Sequence, residues 1–327
     1  MAVIGAGSWG TALAIQFARA GRPTLLWGRD PAQMAALERD RRNLRYLPDA
    51  HFPAGLTVAA RLGDALRAAT AVLVAVPSHA FRGVLGELAG VLPTNARVAW
   101  ATKGFEIDSG RLPHQVAREV LGEGLPTAVL SGPTFAREVG AGLPTAMTVA
   151  SADARFARAL AESLATDTFR VYTSCDIVGV EVGGAVKNVL AIGAGISDGL
   201  GFGANTRVAL ITRGLAEMTR LGVALGAQAE TFNGLAGMGD LVLTCTDDQS
   251  RNRRMGLKLA EGKSVETALG EIGQAVEGVP AAKAVWSVAR RLGVDMPITE
   301  QIHRIVYEGA PPAEAVRALM GRAPRAE

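Results

Sequence analysis

Three stretches of the 327-residue chain hold residue types that could do chemistry together. The first is "GAGSWG", residues 5–10, set between an apolar run and a segment of helical periodicity. Gly5, Gly7 and Gly10 permit a tight turn and close backbone approach. A helix starting there turns unpaired N–H groups and a positive dipole toward an anion, the arrangement that holds a dinucleotide pyrophosphate. The strand–turn–helix context makes this far more specific than a lone glycine pattern. The second is Lys187, inside the otherwise apolar "GGAVKNVLAIG". Oxidising a secondary alcohol needs a group that takes the hydroxyl proton as hydride leaves, and that returns it in reverse. Lysine takes a proton only when neutral, which asks for roughly 4 kcal/mol of help from burial and neighbouring cations. The alternative is a structural lysine paired with Asp240 or Glu181. The third is "TDDQSRNRRMGLKLAEG", which offers arginines, hydroxyl and amide donors at a helix start, as a phosphate dianion requires. Ser250, Arg251 and Asn252 are the better phosphate candidates there. Arg253 and Arg254 read as a solvated helix start.

These groups need elements that place them. The first half alternates short apolar runs ("AVIGA", "TLLWG", "AVLVAV", "RVAWAT", "TAVLSG", "AMTVAS") with helical segments such as "GTALAIQFARAG" and "HAFRGVLGELAGVL". Buried strands alternating with helices predict βαβ units and a mostly parallel sheet. Near "RVYTSCDIVG" the pattern changes, and from Ile177 onward the segments are helical. An α/β first domain over 1–178 and an all-helical second domain over 179–327 are expected, meeting inside or just before a long apolar helix, with a cleft between them. The second strand ends "LLWGRD". An NAD-specific site usually offers a carboxylate there for the ribose, about 20 residues past the turn. Arg29 stands in that place with Asp30 just beyond, so a 2′-phosphate is tolerated, unless Arg29 is a solvated loop charge.

Together with "GSWGTALA" and "VGGAVKNVLAIGAGI", the stretches "VPSHAFR", "ATKGFE", "LSGPTFAREV" and "NGLAGMGDLVLTCTDDQSRNRRMG" closely resemble bacterial NAD(P)-dependent glycerol-3-phosphate dehydrogenase, in order from residue 3 to about 310. The resemblance implies a Rossmann-type N-terminal domain, an all-α C-terminal domain and an active site between them. It implies interconversion of sn-glycerol 3-phosphate and dihydroxyacetone phosphate with NADPH/NADP or NADH/NAD, feeding phospholipid synthesis. By the same resemblance the glycine turn, Ser8, Trp9, Arg29, Lys103, Ala136, Arg251, Ala275 and Glu277 contact the dinucleotide. Lys103, Gly132, Thr134, Lys187, Asp240, Ser250, Arg251 and Asn252 contact substrate. Lys187 matches the general base, with Asp240 beside it. The two aspartates in "TDDQSRN" depart from many relatives and bear on the phosphate electrostatics. A homodimer through the helical domain is the family expectation.

Rival readings are a 3-hydroxy-acid or sugar-acid dehydrogenase of similar build, and a non-catalytic NADPH-sensing protein. The first lacks a reason for the "SRN" segment, the second for Lys187 with Asp240. The net charge of +3 and pI of about 9.1 suit anionic small molecules but are too weak to argue for nucleic acid. "ERDRRNLRYLP" holds one aromatic and reads as a solvated loop over the cofactor cleft. His79 reads as a helix-start residue lining the cofactor crevice, and His114 and His303 as partly exposed helix positions. Cys175 and Cys245 show no ligand spacing, no hydride transfer here needs a metal, and a reducing, cytoplasmic setting fits. No basic stretch precedes the first apolar run, so no signal peptide is expected, and the longest apolar candidate for a span is broken by Lys187 and Asn188.

Overall fold

A computed structural model describes residues 1–67, 69–93 and 95–322. The chain divides into two compact units, one of Met1–Lys103 and Leu112–Glu181, the other of Gly104–Arg111 and Val182–Glu327.

Among its described residues the first unit has ten strands: β1 (Ala2–Ile4), β2 (Thr24–Trp27), β3 (Arg42–Asn43), β4 (Leu47–His51), β5 (Leu56–Val58), β6 (Ala71–Val74), β7 (Arg97–Trp100), β8 (Thr127–Ser131), β9 (Thr145–Ala150) and β10 (Phe169–Ser174). Eight of them form one sheet in the order β10-β9-β8-β7-β6-β1-β2-β5. Every pairing in it is parallel except β8 with β9. The strands are Val-, Leu- and Ala-rich because helices cover them, as parallel sheets require. The first of these, Ser8–Arg19, is buried from Gly10 through Ala18. It joins a core that includes Phe17, Leu130, Phe156 and Phe169. The mostly parallel sheet is the one the alternation predicts. Strand β10 forms one edge and ends at Ser174, just before the helical segments begin at Ile177, and the short β5 closes the other edge.

One expectation fails. "ERDRRNLRYLP" is not a solvated loop: it contributes the antiparallel pair of β3 and β4, and Asn43 within it is 1% exposed. The Asn43 amide Nδ2 donates to Ala6 O at 3.0 Å and to Thr11 Oγ1 at 2.8 Å. A short polar side chain inside a basic run carries no periodicity that would disclose such a long-range bond.

The second unit is helical. Its long helix, Ile177–Gly199, begins in the first unit, where Asp176 caps it by accepting from Gly179 N at 2.8 Å. By length and composition this helix could cross a membrane, yet it lies mostly buried inside the protein and serves as a core helix. Helices Ala204–Ala224, Arg251–Ala260, Gly278–Leu292 and Pro297–Glu308 surround it with shorter pieces. A Cβ on Gly195 would stand 2.0 Å from Arg253 O, and one on Gly256 would stand 2.0 Å from Ile192 O. Helices Ile177–Gly199 and Arg251–Ala260 therefore touch backbone to backbone, which only glycine at both positions allows. A π-helical turn, Leu235–Gly239, leads into helix Asp240–Thr246, and a Cβ on Gly183 would lie 2.3 Å from Ala236 O in that turn.

Candidate active site

The residues singled out in the sequence fall into two sets, one on each unit. On the first unit, the glycine turn joins β1 to the Ser8–Arg19 helix. Gly5 has φ +118°, a conformation other residues rarely adopt, and a Cβ there would meet Ala75 O at 2.4 Å. A Cβ on Gly10 would stand 1.9 Å from Gly5 O, so the helix can start this close to the strand only with glycine. Around Gly7 the space is open, with nothing within 4 Å of an added Cβ. Gly7 is the extended N-cap residue and no side chain caps the helix, so the N–H groups of its first turn have no intrahelical acceptor. Tight backbone on two sides and room on the third fit a pyrophosphate. The buried indole Nε1 of Trp9 has no hydrogen-bond partner among the described residues, a donor a ligand would satisfy.

The turn is braced from below. Ala6 O accepts from Gln33 Nε2 at 2.8 Å as well as from Asn43 Nδ2. Neither residue was recognisable as part of the cradle in the sequence. Arg29 follows β2 and is exposed. Its neighbour Asp30 is committed elsewhere: Oδ1 accepts from Ala32 N at 3.0 Å and Gln33 N at 3.3 Å as the N-cap of helix Pro31–Asp40. The carboxylate nearest the ribose position is thus a helix cap.

Lys103 is half-buried just beyond β7, in a segment tied to the one after β6 by Thr102 Oγ1 donating to Val76 O at 2.7 Å. Gly132 follows β8 with φ +149°, and Thr134 Oγ1 donates back to its carbonyl at 3.2 Å. Ala136 opens the short helix Ala136–Ala141. These positions lie beyond the carboxyl ends of β7 and β8, where open α/β sheets present their ligand-binding residues. His79, at the start of helix Ser78–Ala89, is exposed.

On the second unit, Lys187 is 7% exposed and Asp240 fully buried. The Lys187 ammonium donates to Asp240 Oδ1 and, at 3.0 Å, to Thr244 Oγ1. Asp240 and Thr244 lie one turn apart on the same short helix, which the π-helical turn delivers against the lysine. Thr244 was not anticipated; its spacing of four from Asp240 was the available signal. Glu181, the other partner considered for Lys187, is engaged within the first unit. Its Oε1 accepts from Trp100 Nε1 and His114 N, both at 2.9 Å, and its Oε2 meets His114 Nδ1 at 2.6 Å. Burial pushes the Glu181 carboxyl above the usual range, with those donors opposing the shift.

Ser250 is the N-cap of helix Arg251–Ala260, its Oγ accepting from Arg253 N at 3.2 Å. Arg251 is half-buried at the first helical position. Asn252 is buried: Nδ2 donates to Asn188 Oδ1 and Oδ1 accepts from Gly278 N, both at 2.8 Å. That chain links the residue after Lys187 to the start of helix Gly278–Leu292, immediately past half-buried Glu277 and exposed Ala275. Arg253, expected in solvent, is 8% exposed and ion-paired to Asp198 and Asp248. Arg254, expected there too, is half-buried. A helix start read from sequence does not disclose which of four consecutive polar residues the helix turns inward. Among the described residues no cluster of acidic, histidine or cysteine side chains could hold a metal ion.

The chain matches the N-terminal model of NAD-dependent glycerol-3-phosphate dehydrogenase over residues 1–157 and the C-terminal model over residues 176–317. It is 60% identical over 328 residues to a glycerol-3-phosphate dehydrogenase (NAD(P)+) of Aeromonas salmonicida, covering 100% of this chain and 98% of the relative. A relative of the same description from Nitrosococcus oceani is 59% identical, with coverage of 99% and 94%. The crystal structure of the Coxiella burnetii glycerol-3-phosphate dehydrogenase superposes with a TM-score of 0.95 at 47% identity, covering 98% of both chains.

Proposed function

The chain belongs to the NAD-dependent glycerol-3-phosphate dehydrogenase family, and from that premise we propose how its own residues carry the reaction. The protein is an NAD(P)-dependent oxidoreductase that interconverts sn-glycerol 3-phosphate and dihydroxyacetone phosphate. When bound, the nicotinamide cofactor supplies or accepts the hydride.

The glycine turn and the uncapped start of helix Ser8–Arg19 hold the pyrophosphate, and Trp9 adds an indole donor. Arg29, exposed beyond β2, would pair with the 2′-phosphate of NADP. Lys103, Ala136, Arg251, Ala275 and Glu277 complete the cofactor contacts. Ser250, Arg251 and Asn252 grip the substrate phosphate, while Gly132 and Thr134 touch the substrate. In ketone reduction Lys187 polarises the carbonyl and passes a proton to the developing alkoxide. In the reverse direction it takes the hydroxyl proton. Asp240 and Thr244 fix the ammonium nitrogen in place.

The observation that carries this reading is a buried lysine in an apolar helix, bonded to one carboxylate and one hydroxyl. The same reading includes a division near residue 178 into cofactor-binding and substrate-binding parts, a homodimer, a cytoplasmic location and supply of glycerol 3-phosphate to phospholipid synthesis.

Replacing Lys187 tests the central step. Lys187→Met is expected to lower turnover by ~10²–10⁴-fold while leaving NADPH affinity near wild type. Lys187→Arg is expected to fail almost as badly, because guanidinium cannot release or take a proton at working pH. Absorbance at 340 nm reads the rate. A folded Lys187→Arg enzyme with most of its activity would reduce Lys187 to an electrostatic anchor.

A further inference from the structure

Two features of the segment around the phosphate-binding residues stand outside the reaction. Asp247 and Asp248 put negative charge beside a site for a dianion, and Arg253 is buried although it was expected in solvent. The geometry joins them. The Arg253 guanidinium has three acceptors from three directions: Nε donates to Cys245 O at 3.2 Å, Nη2 to Asp198 Oδ2 at 2.6 Å, and Nη1 to Asp248 Oδ1. Cys245 lies in the last turn of helix Asp240–Thr246, and Asp248 in the turn that leads from it into Ser250. Asp198 lies at the end of the helix that carries Lys187, where Arg207 Nη1 also donates to it at 2.8 Å. The Arg253 backbone N–H meanwhile donates to the capping Ser250 Oγ. Asp247 Oδ1 accepts from Gln249 N at 2.7 Å, closing the turn locally.

We propose that Arg253 is a positioning residue that sets the substrate-phosphate segment by clamping the 245–250 stretch, the end of helix Asp240–Thr246 and the turn after it, to Asp198, and that Asp248 serves as its counter-ion. This rests on reading Ser250, Arg251 and Asn252 as the phosphate-binding residues. Planar guanidinium is what the three divergent acceptors demand, and lysine supplies only a point charge on one of them. The charge of Asp248 is spent on Arg253, so it does not act against a bound dianion.

The test measures KM for dihydroxyacetone phosphate, kcat, and competitive inhibition by inorganic phosphate in Arg253→Lys, Asp248→Asn and Arg251→Ala enzymes. Arg253→Lys is expected to raise KM and the phosphate inhibition constant together by about tenfold, with kcat within about twofold of wild type. A general folding defect would not move the two constants in parallel. Asp248 is 75% exposed at its side chain, so its variant folds and carries the test if Arg253→Lys does not. Asp248→Asn is expected to move both constants about threefold in the same direction. Unchanged constants in a folded Arg253→Lys, or in Asp248→Asn if the lysine variant does not fold, overturn the proposal provided Arg251→Ala is impaired. Unchanged constants in Arg251→Ala overturn the phosphate-segment reading itself.

Discussion

Arg29 is the residue we propose to set cofactor choice. It is exposed beyond β2, and the adjacent carboxylate of Asp30 is bound up in capping helix Pro31–Asp40. Asp30 Oδ1 already accepts two backbone N–H bonds, while a guanidinium can grip a 2′-phosphate in bidentate fashion. We predict that NADPH binds at least as tightly as NADH, and that Arg29→Asp weakens NADPH selectively. A charge-assisted contact is worth about 1.5–3 kcal/mol, so the affinity ratio should change by an order of magnitude or more. Fluorescence titration of both cofactors reads it, and an unchanged ratio would show Arg29 to be a solvated charge. The sequence placed arginine here but could not show how Asp30 was spent, because a cap is a bond to backbone that exists only once the helix forms.

Between elements, the second unit depends on backbone contact. Helices Ile177–Gly199 and Arg251–Ala260 bring Lys187, the proposed base, and the proposed phosphate segment onto neighbouring rods, and Gly195 and Gly256 set how close those rods lie. Gly195→Ala would press a methyl against Arg253 O. We predict a loss of about 1–3 kcal/mol with a raised KM for dihydroxyacetone phosphate, since relief requires the phosphate-bearing helix to move outward. Thermal melts and steady-state kinetics check both parts, and normal values for both would refute the close crossing. A second inter-element bond gives a pH signature. Buried Glu217 accepts from Ile298 N at 2.6 Å, and from Thr299 N and Thr299 Oγ1, both at 3.1 Å, at the start of helix Pro297–Glu308. Desolvation raises its pKa from 4.5 to about 7, against the pull of those donors. The folded protein then binds more protons than the unfolded chain between those values. Its stability should therefore fall as pH rises from about 4.5 to 7, by about 3 kcal/mol if this group acts alone. Denaturant titrations of wild type and Glu217→Gln across that window should differ by this slope; identical slopes would sink the assignment.

At the scale of the whole molecule, the two cysteines report folding. Cys175 is exposed, whereas Cys245 is buried and its thiol is pushed up to about 12 by desolvation. Only a thiolate reacts readily, so a thiol reagent should modify one cysteine in the native protein and two in denaturant. Rapid reaction of both without denaturant would contradict the burial. Glycine spacing, apolar runs and the loss of strand signals near Ile177 were enough in the sequence to give the parallel sheet, the helical second half, the dinucleotide turn and the buried lysine. Those features are local: a turn needs glycine where φ is positive, and a buried strand or helix needs an apolar run of its own length. Which polar partners meet was decided only in three dimensions. Asp240 and Thr244 reach Lys187 across more than fifty residues, Asn43 braces a turn more than thirty residues away, and Arg253 turns inward while its neighbour Arg251 stays half-buried. Such bonds leave no periodicity in the chain, because each is fixed by where two separate elements come to rest rather than by the residues beside it.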